Sequence, residues 1–230
     1  MIVNPEIDHF TYMKVIGKKE PIRLFVSNRL EKLTHLSPII TFSWWMSVII
    51  VTLVFAVSAI FRTSEGATTS FGHVPAGFFI GMFVWTLGEY LLHRFVFHLA
   101  PRRVWRQRLS FFMHGVHHAQ PNIRTRLFMP PPVSIPLAAL FFGLFFLIAG
   151  VVFGAPHWTP ALFAGYVAGY LAYSSFHFGM HQWKVNWRWF VYIRRHHMLH
   201  HGSQHDYRFG VSSPLWDYVF GTMPPKRIGS

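Results

Sequence analysis

Four apolar stretches, residues 38–61, 74–97, 133–155 and 158–177, constrain this chain more than any other feature. Each is near the length with which an α-helix crosses a hydrocarbon core of about 30 Å. Only segments that satisfy their own backbone hydrogen bonds persist there, so the stretches predict an all-α integral membrane fold with four transmembrane helices. Composition agrees, because 52% of the 230 residues are hydrophobic and only 13% are charged, too apolar for an ordinary soluble domain. The first stretch follows nearly forty residues and lacks the short apolar core of a secretory signal, so it reads as an anchor. The organisation expected is an N-terminal cytoplasmic segment, residues 1–37, and a single membrane domain, residues 38–230.

The spans pair into two helical hairpins. Residues 62–73 link the first two and Gly154-Ala155-Pro156-His157 the last two, while Met129-Pro130-Pro131-Pro132 ends the central segment and suits entry into the third span. With both links outside, Arg62 is the only outward cation among 21 Lys and Arg, and the positive-inside rule puts both tails and the central segment in the cytoplasm. The net charge of +13 interleaves with the spans, which points to anionic lipid head groups and a membrane partner, not to nucleic acid.

The chain has no cysteine, so thiolate metal sites, disulfides and catalytic thiols are excluded, and any transition metal must be held by imidazole, carboxylate or water. Ten of its 16 histidines fall into four clusters: His93/His98, His114/His117/His118, His177/His181 and His197/His200/His201. Two of these are H-x-x-H-H, for which about 0.08 chance matches are expected at this histidine frequency. All lie at the cytoplasmic ends of the second and fourth spans or just beyond, so they can converge. Residues three and four apart share a helix face, so each of the last three clusters presents its imidazoles together. His93 and His98 stand about 140° apart on a regular helix and need a distortion or a helix end between them to reach one site. Ten ligands exceed the four of a structural zinc, which argues for two ions or for some histidines orienting others.

The words around the clusters resemble the fatty acid 2-hydroxylase family, within the wider fatty acid hydroxylase or sterol desaturase-like superfamily of membrane di-iron enzymes. Glu89-Tyr90-Leu91-Leu92-His93-Arg94-Phe95-Val96-Phe97-His98 is similar to its first box. His114-Gly115-Val116-His117-His118, with Pro121, Arg126-Leu127 and Pro130-Pro131, is similar to the second, and Tyr173 with His177 and His181 to the third. His197-Met198-Leu199-His200-His201, Phe209-Gly210-Val211-Ser212-Ser213 and Trp216-Asp217-Tyr218-Val219-Phe220-Gly221-Thr222 resemble the fourth box and the C-terminal signature. The likeness covers roughly residues 76–224. It departs at Ser174, where relatives often carry Asp, at Gln182 and His196, where they often carry His and Tyr, and at Asn122-Ile123, which replaces a frequent Met-Asp pair.

The resemblance implies a cytoplasmic helical cap holding two metals over a transmembrane stem, and O2-dependent hydroxylation of a lipid acyl chain at C2. The substrate would be a fatty acid, a ceramide or another acyl lipid. Iron follows from that chemistry, since zinc, though it suits the same imidazoles and can occupy them in isolated protein, cannot change redox state. The first 38 residues have neither the length nor the haem-ligand context of a cytochrome b5 domain, so a separate cytochrome b5 or ferredoxin is implied as electron donor. The alternatives are a desaturase, a sterol, carotenoid or ether-lipid hydroxylase, and a non-enzymatic metal-binding or transport protein, the last of which calls for ligands at mid-membrane. A bacterial inner membrane is favoured over the endoplasmic reticulum.

Two further residues are candidates for catalysis. Glu89, the only acid inside a span, either orients a metal-bound imidazole or pairs with Arg94. Tyr173, one turn before His177, either lines the acyl tunnel near the metals or anchors the helix at the interface. The isolated His9, His35, His73, His157 and His205 read as surface residues, as does Asp206, and the basic run of Arg102, Arg103, Arg106 and Arg108 as a solvated interfacial face.

Overall fold

The computed structural model describes residues 20–62, 72–98 and 103–225. In chain order the helices are α1 (Asn28–Lys32), α2 (Pro38–Arg62), α3 (His73–Leu91), α4 (Val104–Ser110), α5 (Val116–Ala119), α6 (Pro131–Phe145), α7 (Thr159–Gln182), α8 (Arg188–His201) and α9 (Leu215–Val219). There is no β-strand among the described residues. Three helical stretches, Pro38–Phe61, His73–Phe97 and Arg124–Val152, are long and apolar enough to cross a membrane. Their large side chains face outward, with Ile39 77% and Leu140 65% exposed. Apolar surface of that extent calls for lipid, and the chain is an integral membrane protein. The fourth predicted span is helical as α7, but Tyr166, Tyr170, Tyr173, Ser174, Ser175 and His177 leave it more polar than the other three.

The chain divides into two compact units. One comprises Leu36–Thr86 and Met129–Ala172 and contains α2, α6 and most of α3 and α7. Within it α3 and α7 meet backbone to backbone. A Cβ placed on Gly81 would lie 2.0 Å from the Leu162 carbonyl oxygen, and one on Gly165 would lie 1.8 Å from that of Phe78. Gly77 and Gly81 on α3, and Ala161, Gly165 and Gly169 on α7, recur every four residues, the small-residue ladder that lets membrane helices approach closely. Trp85 lies over Gly169, with its ring centroid 5.0 Å from that of Tyr166 and 5.3 Å from that of Tyr170. These aromatics, with Trp45, Ser134, Leu137 and Phe141, line a small apolar pocket of about 30 Å³. His73 is buried here at 4% exposure against His157 and Trp158, which corrects its reading as a surface residue. An imidazole at the apolar start of a span packs on aromatics when they are at hand.

The other unit comprises residues 20–35, 87–98, 103–128 and 173–225 of the described chain. Its N-terminal segment is clipped to the central one. The Glu31 carboxylate accepts the backbone N–H groups of Leu24 and Phe25, each at 2.8 Å, and the Arg126 guanidinium at 2.7 Å. His35 is tied in too, at 2.7 Å from the Thr125 hydroxyl, and so is more than a surface residue. His205 and Asp206 are exposed as expected, Arg103, Trp105 and Arg108 likewise, while His9 and Arg102 lie outside the described residues. α8 turns its buried face, including Phe190, Ile193, His197 and His200, inward, and Met180 and Val211 pack on that core.

Two local departures from α-helix coincide with the histidine clusters. After α3 the chain continues as a π-helical turn, Leu92–Phe97, and between α4 and α5 lies a second, Phe111–Gly115. In the first, the His98 N–H donates to the His93 carbonyl at 3.1 Å, an i→i+5 bond. That winding brings residues five apart onto one face and supplies the distortion that the His93/His98 spacing demands.

Candidate metal centre

The ten clustered histidines come together in the second unit as two groups of five. His93, His98, His114, His118 and His200 form the first and His117, His177, His181, His197 and His201 the second, with all donor atoms of a group within 4.8 Å of one another. Each H-x-x-H-H cluster is divided between the groups, contrary to the expectation that its imidazoles serve one site together. Neighbouring residues point about 100° apart on a helix, so His117 and His118, and likewise His200 and His201, face different groups. Partners four apart stay together, as His114 with His118 and His197 with His201. The groups adjoin, since the His118 ring stacks on that of His201 with centroids 4.1 Å apart.

The spacing of the nitrogens tests whether these sets fit a metal. In the first group the Nε2 atoms of His93 and His114, and of His98 and His200, are 3.0 Å apart. In the second, His117 Nε2 lies 2.8 Å from that of His177 and 2.9 Å from that of His201, and His197 Nε2 lies 3.0 Å from those of His181 and His201. Nitrogens about 2.05 Å from a common ion stand about 2.9 Å apart at right angles and about 3.3 Å apart at the tetrahedral angle. The observed separations match the right angle and not the tetrahedral angle of a structural zinc, and each group offers five nitrogens. Hydrogen bonding among the imidazoles does not account for them as well. Each Nε2 carries one proton or one lone pair, yet those of His117 and His197 each face two other nitrogens, and His118 Nε2 is buried with no hydrogen-bond partner. One cation within each group would engage every lone pair.

Burial keeps these imidazoles neutral. His98 is pushed down to about 3 and His200 to about 4, in each case chiefly by loss of solvation, and the neighbouring His200 imidazole lowers His98 further. His114, His117, His118 and His197 are also held well below the usual histidine range by burial and by neighbouring imidazoles. Their lone pairs are therefore available to a metal at neutral pH.

Beside the first group runs the loop of residues 207–213, which two buried carboxylates secure. His93 Nδ1 donates to the Phe209 carbonyl at 2.5 Å and His200 Nδ1 to that of Tyr207 at 2.7 Å. Asp217, fully buried, accepts the N–H groups of Phe209 and Gly210 at 2.8 and 2.9 Å, the Thr222 hydroxyl at 2.7 Å and His196 Nε2 at 3.0 Å. Glu89 accepts the N–H groups of Val211 and Ser212 at 2.6 and 2.7 Å and the Ser212 hydroxyl at 2.5 Å. Arg94 turns instead to the Tyr90 hydroxyl, 2.8 Å away. Tyr173 stacks on His177, centroids 5.6 Å apart and planes within 7°. Sequence reasoning met Asp217 and His196 only as parts of the family resemblance, gave them no role, and passed over Arg208. The one available signal was scarcity, since an acid in a chain with eight acids against 21 Lys and Arg is a rare residue.

The chain is also similar to known proteins. The sequence model described as fatty acid hydroxylase matches residues 78–222. A dihydroceramide fatty acyl 2-hydroxylase of Arabidopsis thaliana is 33% identical over 209 residues, covering 91% of this chain and 83% of that protein. The fatty acid 2-hydroxylase of Homo sapiens is 33% identical over 226 residues, covering 90% of this chain but 58% of the human protein. A solved structure described as full-length Scs7p with only the hydroxylase domain visible superimposes with a TM-score of 0.77 at 28% identity, covering 94% of this chain and 84% of that one. The match spans all four histidine clusters, and the chain belongs to the fatty acid hydroxylase family.

Proposed function

We propose that this chain, with residues 38–230 acting as one hydroxylase domain, inserts oxygen at C2 of a lipid acyl chain by means of two iron ions held by its ten clustered histidines. The observation that carries this reading is the pair of five-imidazole groups with right-angle nitrogen spacing. The printed names of the relatives, fatty acid 2-hydroxylase and dihydroceramide fatty acyl 2-hydroxylase, support C2 and an acyl lipid such as a fatty acid or ceramide. Iron would supply the reduction of O2, in which one oxygen atom enters the C–H bond and the other leaves as water, with two electrons and two protons taken up. The electrons would come from a separate cytochrome b5 or ferredoxin. Zinc fits the same nitrogens without supplying the redox change.

The protein's part is placement. His93, His114, His117, His177, His197 and His200 are all at most 5% exposed, so water is kept from the centre and the positions of its nitrogens are fixed before the reaction. Tyr173 holds the plane of the His177 ring, and Glu89 holds the 207–213 loop that touches His93 and His200. The charge asymmetry of the chain supports four spans in two hairpins with the centre, in a helical cap, on the cytoplasmic side.

The test is mass spectrometry of lipids from cells expressing the chain beside a His200→Ala, His201→Ala control, with fragmentation along the acyl chain. One added oxygen at C2 that is absent from the control is expected. Loss of two hydrogens, or oxygen elsewhere on a lipid, would replace this reading with desaturation or a sister hydroxylation.

A further inference from the structure

The two groups of histidines are built differently around their second nitrogens. In the first group, His93 and His200 are each fixed by a backbone carbonyl, and both carbonyls belong to the tripeptide Tyr207-Arg208-Phe209. In the second group, His177 faces one backbone carbonyl, that of Leu127, while the Nδ1 atoms of His117, His197 and His201 are buried with no hydrogen-bond partner in the protein. A carbonyl that accepts Nδ1–H fixes the tautomer, aims the Nε2 lone pair and raises its basicity toward a metal.

The tripeptide has the features of a rigid part. Arg208 lies in the left-handed region at φ 63°, the only non-glycine residue to do so among the described residues. That conformation reverses the chain over one residue and presents the carbonyls on either side of it to two different imidazoles. Its side chain is pinned, with Nε donating to Gln204 Oε1 at 2.5 Å and Nη1 to His196 Nδ1 at 2.8 Å. His196 in turn donates from Nε2 to Asp217. Five successive backbone N–H groups are engaged: Arg208 with the Thr222 carbonyl, Phe209 and Gly210 with Asp217, and Val211 and Ser212 with Glu89. A Cβ on Gly210 would stand 2.1 Å from the Ser213 carbonyl oxygen, so the backbone packs too closely there for any side chain.

We infer that the Tyr207–Arg208–Phe209 turn is an orienting element dedicated to one metal position, holding the ion of the first group more firmly than the ion of the second. Arg208 is thus a positioning residue, acting through its backbone on His93 and His200. The inference rests on the two-metal reading above and adds that the two ions differ in lability. Loss of such an outer contact typically weakens a metal about 10- to 100-fold.

The experiment uses the full chain, purified in detergent and loaded with zinc or cobalt, with metal content and release to a chelator followed over time. The wild type is expected to hold two equivalents that leave in two phases. His98→Ala should abolish the slow phase and His181→Ala the fast one. Arg208→Val, whose branched side chain resists positive φ, should weaken the slow ion about 10- to 100-fold and leave the fast one unchanged. Arg208→Gly, which accepts that backbone, should keep the slow phase. Release of both wild-type ions in one phase, or equal weakening of both by Arg208→Val, overturns the inference. If Arg208→Val does not fold, the wild-type phases and their assignment by the two histidine variants decide. Fewer than two equivalents in the wild type overturns the two-metal reading itself.

Discussion

Removing the Glu89 carboxylate measures how much of the centre depends on the 207–213 loop. Glu89 is 4% exposed and accepts two backbone N–H groups and one hydroxyl of that loop. Glu89→Gln keeps an oxygen for both N–H groups but turns charge-assisted bonds into neutral ones of about half the strength, a loss of about 1 kcal/mol each and about 2 kcal/mol together. Ser212 can rotate to accept the new amide. Glu89→Ala leaves the buried Val211 N–H and the part-buried Ser212 N–H unpaired at about 1–3 kcal/mol each, or about 4 kcal/mol together. For a chain of this size 1 kcal/mol moves the melting temperature by about 2–4 °C, so the expected falls are about 4–8 °C for Gln and about 8–16 °C for Ala. Thermal unfolding of the metal-loaded protein in detergent, followed by tryptophan fluorescence, reads both. A Glu89→Ala chain that melts within about 2 °C of the wild type refutes the anchoring role, and equal losses for Gln and Ala refute the argument from accepting geometry.

Further outcomes follow from the same structure. Gly165→Ala puts a methyl group against the Phe78 carbonyl and should cost about 1–3 kcal/mol by forcing α3 and α7 apart, whereas Gly143→Ala, with nothing within 4 Å, should stay within about 1 kcal/mol of the wild type in the same melting assay. In the metal-free protein His98 and His200 titrate lower folded than unfolded, so the unfolded chain binds more protons as pH falls from about 6.5 toward 4. Its melting temperature should therefore drop steadily over that window, and a flat profile would contradict the neutral buried state of the cluster. Tyr173→Phe keeps the stack on His177 and should hold second-group metal within about twofold of the wild type, while Tyr173→Ala forfeits about 0.5–1.5 kcal/mol and should weaken it about 2- to 10-fold by chelator competition.

Much of this fold was legible because it depends on local pattern. Pro38–Phe61 and His73–Phe97 match the expected spans almost residue for residue, since apolar run length alone sets them. α6 begins at Pro131 as the proline run indicates. The π turn at Leu92–Phe97 was foreseeable from five-residue spacing, but that at Phe111–Gly115 was not. The division of the clusters was half-readable, because helical geometry separates adjacent histidines by about 100°, but which of them then meets His93 or His177 is decided by tertiary packing. The glycine ladder Gly77/Gly81 against Gly165/Gly169 stood open in the sequence and was passed over. The Arg208 turn had no such signal, since a positive φ at arginine comes from contacts that Asp217 and His196 make from elsewhere in the chain.

The most direct test of the account gives the purified, iron-loaded chain an acyl lipid, a reductant with an electron carrier, and O2 labelled with oxygen-18, then reads the product by fragmentation mass spectrometry. The account requires one labelled oxygen atom at C2 of the acyl chain, formed only with iron and reductant present and not when zinc replaces iron. Unlabelled oxygen at C2, a product lacking two hydrogens, or equal yield with zinc would contradict it.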